Sequence, residues 1–66
     1  MVGDRIRKLR TQQKLSQKEL ARKLDVSEAT IKNWENDSSD PCLDNIRTLS
    51  SIFNVTTDYL LGKSEQ

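Results

Sequence analysis

The chain has 66 residues, a net charge of +1, one cysteine and no histidine. A chain of this size buries only about 60% of the surface its unfolded form exposes and holds a stability of about 3–10 kcal/mol, so a deep catalytic cleft is not expected. A single cysteine, Cys42, gives no intrachain disulfide framework and fits a reducing, cytoplasmic compartment, and the opening MVGDRIRKLR has no apolar run for a signal peptide or membrane span.

Five helical segments are predicted in chain order, with no alternating run or hairpin dipeptide to suggest a strand. The first spans about 3–14, with Ile6 and Leu9 on one face and Leu15 just beyond. The second opens at Ser16, where Ser16-Gln17-Lys18-Glu19 has the form of a capping box, and Leu20, Ala21 and Leu24 make its inner face. The third opens at Ser27 and turns Ile31 and Trp34 inward. The fourth follows Asp40-Pro41, proline being suited to a helix start because its missing N–H costs nothing there, and it buries Ile46, Leu49, Ile52 and Phe53. The fifth opens at Thr56, with Tyr59 and Leu60 inside and Gly62 just past its end. The fold class is all-α, a compact five-helix domain over residues 1–62, followed by a short charged tail, 63–66.

Charge is unevenly spread. Residues 1–34 hold nine Lys/Arg against four acids, a balance of +5, and residues 35–66 hold two against six, a balance of −4. A polyanionic partner on the basic side accounts for such a split, as does a chance scatter of solvated charges.

The helix is broken at Asp25-Val26-Ser27 and restarts at once. At about 100° per residue, with Glu28 at zero, Ile31 and Trp34 fall at about 300° and 240°, so the core lies at about 270°. The opposite direction holds Ala29, Lys32, Asn33 and Asn36, with Glu28 at its edge. This face is short and polar, suited to close docking against a surface that is read. A DNA major groove is such a surface: Asn33 matches adenine N6 and N7, Glu28 the cytosine N4 amine, Ala29 a thymine methyl, and Lys32 a guanine or a phosphate. The second helix would then cross the backbone with Ser16, Gln17 and Lys18 at an N-terminus that attracts phosphate.

These residues carry a resemblance. QKELARKLDVSEATIKNWEN, 17–36, resembles the helix-turn-helix of the phage-repressor-like family, also called the xenobiotic-response-element type. The matches are Gln17, Leu20, Ala21, Leu24, Ser27, Ile31 and the closing Trp34-Glu35-Asn36; Pro41, LSSIFNV and TTDYLLG extend the likeness over 3–62. The resemblance implies a lambda-repressor-like domain that binds operator DNA, usually as a two-fold homodimer. It implies base contacts from Glu28, Ala29, Lys32 and Asn33, phosphate contacts from Gln17 and Asn36, and a structural ion pair between Arg10 and Glu35; Ser16, Lys18 and Ser27 are the other candidate phosphate contacts. Two departures stand out: Asp25 occupies the turn position usually held by glycine, and the loop NDSSDP is acidic where relatives often carry Lys or Arg.

Other residues read more plainly. The phase of Trp34 makes it core rather than a base-stacking residue. Cys42 has no histidine to activate it. Neither a catalytic pair nor a metal set is spaced in the sequence, so no cofactor, small-molecule substrate or membrane partner is expected. Thr57, Asp58 and Leu61 are candidates for a dimer patch. The expected function is a sequence-specific regulator of transcription, a repressor on palindromic operators at the prokaryotic nucleoid. Two alternatives stay open: the same fold as a protein-interaction module, an antitoxin or antagonist, and the N-terminal domain of a longer, signal-sensing regulator.

Overall fold

A computed structural model describes residues 2–62; the expected charged tail, 63–66, lies outside them. The described residues form five helices and no strand: α1 (Val2–Gln12), α2 (Gln17–Leu24), α3 (Glu28–Glu35), α4 (Leu43–Phe53) and α5 (Thr57–Leu60). The all-α class is the one the periodicity predicts.

Every helix contributes to one core. Ile6, Leu20, Ile31, Leu49 and Leu60, one from each helix, are fully buried, and a side chain of this kind contributes about 1.5–3 kcal/mol when removed from water. Trp34 and Phe53 fill the space between them at 3% and 4% exposure. Ile52 and Tyr59 pack only part-buried at the margin of this cluster, and the Arg5 guanidinium lies 4.3 Å from the centre of the Tyr59 ring, joining α1 to α5. α2 packs along α3, while α1 lies across α3 and also meets α4 and α5.

Caps set the helix starts. Ser16, Ser27 and Thr56 stand in extended backbone before α2, α3 and α5, and each side chain accepts an N–H from the first turn. α4 differs from expectation. Its cap is Cys42, which makes no side-chain capping bond, so Pro41 lies ahead of the helix rather than in its first turn. Proline there fixes its own φ and keeps Asp40 out of the helical region, which shapes the loop rather than opening the helix.

The helix ends depart further. α1 stops at Gln12, short of the predicted Lys14. Lys14 takes a left-handed φ of 59°, and the Leu15 N–H closes the end by donating to the Arg10 carbonyl at 3.1 Å. The same closure recurs after α2 at Asp25 (φ 58°), after α3 at Asp37 (φ 63°) and after α4 at Asn54 (φ 56°). No glycine serves any of these four turns, although L-residues resist that region and glycine does not.

Candidate nucleic-acid interface

The outward face of α3 follows from its anchors. Ile31 and Trp34 are buried beneath the helix, and Glu28, Ala29, Lys32, Asn33 and Asn36 are exposed on the other side. Thr30 and Ser27 serve the helix start: Ser27 Oγ accepts the Thr30 N–H at 3.2 Å and lies 2.9 Å from Thr30 Oγ1. Asn36 closes the far end, its Oδ1 accepting the Ser38 N–H at 3.1 Å, which leaves its amide nitrogen free to donate. Glu28 and Lys32 converge as an ion pair, 3.8 Å apart, one helical turn from each other.

The start of α2 offers free donors. Ser16 Oγ accepts the Glu19 N–H at 3.0 Å, and Glu19 Oε1 accepts the Ser16 N–H at 2.8 Å. Donation from the Ser16 backbone N–H, aided by the Ser16 hydroxyl, holds the Glu19 carboxyl below its ordinary range. The capping box thus occupies its own donors and leaves the amides of Gln17 and Lys18, in the first turn of the helix, unpaired and pointing out of its positive end. Lys14 and Lys18 are exposed at this end, and Arg22 and Lys23 are exposed in the last turn of the same helix.

What fixes the two helices relative to each other is Glu35, buried at 3% exposure. Arg10 grips its carboxylate at two points, Nε donating to Oε2 at 2.6 Å and Nη2 to Oε1 at 3.1 Å, and Arg10 Nη1 donates to the Leu15 carbonyl at 2.8 Å. Gln17 Nε2 donates to Glu35 Oε1 at 3.1 Å. Arg7 Nη2 donates to the Glu35 carbonyl at 3.0 Å, and its Nε stands 3.6 Å from Oε1. Such paired, charge-assisted bonds are what allow a carboxylate to be buried. A further contact tightens the junction: a Cβ on Gly3 would stand 2.4 Å from the Trp34 carbonyl oxygen, so only glycine lets α1 approach the end of α3 this closely.

The Arg10–Glu35 pair was expected from the resemblance. The depth of Glu35 and the roles of Gln17, Arg7 and Gly3 were not. A weak signal existed, since Gly3, Arg7 and Arg10 lie at i, i+4 and i+7 on one stripe of α1. The acidic loop is also in view, with Asp37 and Asp40 exposed just beyond α3. Of the candidate dimer residues, Thr57 is half-buried while Asp58 and Leu61 are exposed. Leu61 borders a groove of about 260 Å³ lined also by Val2, Asp40, Pro41 and Ile46. Cys42 is exposed, its sulfur accepting from Asn45 Nδ2 at 3.3 Å. Among the described residues, no helix is long and apolar enough to cross a membrane.

A family model described as helix-turn-helix matches residues 6–60. The chain belongs to the phage-repressor-like helix-turn-helix family. Among its curated relatives, the HTH-type transcriptional regulator ImmR of Bacillus subtilis (strain 168) is 42% identical over 64 residues, which are 97% of this chain and 50% of that protein. The HTH-type transcriptional activator BcrR of Enterococcus faecalis is 36% identical over 63 residues, 96% of this chain and 31% of that protein. This helix-turn-helix chain therefore spans half of one relative and a third of the other. A crystal structure of the P22 c2 repressor with synthetic operator 9T, in the presence of Tl+, matches with a TM-score of 0.90 at 33% identity, covering 97% of each chain.

Proposed function

We propose that the chain is a sequence-specific, double-stranded DNA-binding regulator of transcription, a repressor that lays α3 in the major groove and binds palindromic operators as a homodimer in the prokaryotic nucleoid. The observation that carries this is the exposed, short-chained polar face of α3, set beside the unpaired amides of α2 and locked to them through buried Glu35. Glu28, Ala29, Lys32 and Asn33 are the base readers. Ser16, Gln17, Lys18, Ser27 and Asn36 hold phosphates; for Gln17 the donors are its backbone N–H and the amide proton that Glu35 does not take. The P22 c2 repressor, solved with an operator and matching at 33% identity, supports the same use of this fold.

Dimerisation follows from energetics. One recognition helix meets a few base pairs, and each mismatch costs about 1–3 kcal/mol, too little to single out one site in a genome. Two helices spaced by one turn of DNA, about 34 Å, roughly double that discrimination. Thr57, Asp58 and Leu61, with the groove beside Leu61, are the surface offered to the second copy.

A second use has its own support. The acidic loop at Asp37 and Asp40 and a net charge of only +1 favour a protein partner, with the chain acting as an antagonist or antitoxin. The span of half of ImmR supports a further possibility, the DNA-binding part of a longer signal-sensing regulator. Selection of binding sites from random duplex DNA at near-physiological salt separates operator binding from a protein partner. An enriched palindrome with half-sites one helical turn apart supports the operator reading. No enrichment, with DNA binding that is weak and flat against salt, would assign the α3 face to a protein, because phosphate contacts must release counterions.

A further inference from the structure

We infer that Glu28 and Lys32 read one G·C base pair together, as a single donor–acceptor unit, so that each half-site carries a G·C pair where this stripe of α3 meets the groove. This rests on the DNA-binding proposal and narrows it. The two heads converge to 3.8 Å while both side chains remain about half exposed, at 46% for Glu28 and 57% for Lys32. An exposed i, i+4 pair of this kind adds little to stability. Its placement on the docking face is the informative part.

A lone carboxylate facing DNA is opposed by one phosphate charge per about 1.7 Å of duplex axis. Lys32, one turn away, neutralises Glu28 and makes its presence there tolerable. The joined heads present an acceptor beside a donor. A G·C pair presents the complement: guanine N7 and O6 are adjacent acceptors, and the cytosine N4 amine beside them is the donor. Lys32 donates to the guanine edge while Glu28 accepts from cytosine. An A·T pair fits worse. Its one donor, adenine N6, lies between two acceptors, adenine N7 and thymine O4, so a carboxylate aimed at it is repelled from both sides. The neighbouring stripe, Ala29 and Asn33, lacks charge and suits an adjacent A·T pair through the adenine N6/N7 edge and the thymine methyl.

The test compares the full chain with Glu28→Ala, Lys32→Met and the double variant. Sites are first selected from random duplexes, and affinities are then measured on the selected duplex with each position exchanged. For the unaltered chain, one G·C pair per half-site loses about 5- to 150-fold when replaced by A·T. Both single variants shrink that ratio towards one, at the same base pair, and the double variant shrinks it no further, while preferences elsewhere in the site persist. A selected site in which the two variants relax different base pairs, or none, overturns the joint reading and leaves the operator proposal standing. Failure of the unaltered chain to select any site overturns both.

Discussion

Gln17, the first residue of α2, donates its side-chain amide to the carboxylate of Glu35, the last residue of α3, at 3.1 Å. The end of the helix proposed to read bases and the start of the helix proposed to hold phosphate therefore share one buried group. That group is neutralised from α1 by Arg10, so three helices meet at a single carboxylate. The relative placement of α2 and α3 is set by this junction as well as by the turn at Asp25-Val26.

Removing Arg10 strips the buried Glu35 carboxylate of its two-point partner and leaves it only the longer contact to half-exposed Arg7 and the Gln17 amide. Arg10→Ala is expected to cost about 3–5 kcal/mol, a large share of what a domain of this size holds. Replacing both charges by apolar groups, as Arg10→Met with Glu35→Leu, removes the uncompensated charge and recovers most of the loss. Urea denaturation of the two single variants and the double variant gives the comparison. A double variant as unstable as the sum of the singles would rule out burial of an unpaired charge as the cause.

Left-handed backbone at a non-glycine residue is a local cost that substitution can relieve. Lys14→Gly is expected to stabilise the fold by about 0.5–1 kcal/mol, the relief of strain being partly offset by a freer unfolded chain. For a domain of this size that raises Tm by several degrees, at about 4–8 °C per kcal/mol. Asn54→Gly gains less, because asparagine tolerates this region better than lysine does. Calorimetry on both variants tests the order; a larger gain at Asn54 would contradict it.

The capping box ties stability to pH. The bonds from Ser16 depress the Glu19 carboxyl in the folded state relative to the unfolded chain. A depressed acid contributes stability that is fully present above its unfolded-state value and is lost as pH falls through the folded-state value. Glu19→Gln should therefore lower stability at neutral pH and flatten the decline on the acid side. Thermal unfolding across the acidic range is the measurement, and an unchanged slope in the variant would exclude the contribution.

The proposed base and phosphate contacts separate by their dependence on sequence. Asn33→Ala is expected to weaken binding to the selected operator by about 1–3 kcal/mol and to leave scrambled duplex nearly unaffected. Gln17→Ala weakens both duplexes alike, and Lys18→Ala lowers the slope of affinity against salt by about one ion. Titrations at several salt concentrations check all three. Equal losses on operator and scrambled DNA for Asn33→Ala and Gln17→Ala would contradict the assignment of roles.

The helix starts were legible because their chemistry is local: Ser16 and Glu19 face each other three residues apart, and Ile31 and Trp34 share a phase. The outward face of α3 was legible for the same reason. The ends were not. Lys14 carries no sign of the left-handed turn it adopts, since the usual marker is glycine, and the turn there serves α2, which begins three residues later; at Asp37 aspartate's tolerance of this region is only a faint sign. Pro41 suggested the first turn of α4 and instead shapes the loop before it. Glu35 falls at about 340° on the helical wheel, nearer the exposed edge than the core. It is buried because α1 crosses there, a fact held by Gly3, Arg7 and Arg10 more than twenty positions away.

Trp34 is the chain's one tryptophan, and its side chain is sealed under α3 on the side away from the exposed polar face. Its fluorescence therefore comes from one environment and answers one question. Emission stays blue-shifted while the core is intact and moves to the red when water reaches the indole. A ligand seated on Glu28, Ala29, Lys32 and Asn33 does not touch the ring. The buried indole is thus expected to report folding, so its emission should distinguish a variant that no longer folds from one that folds and no longer binds.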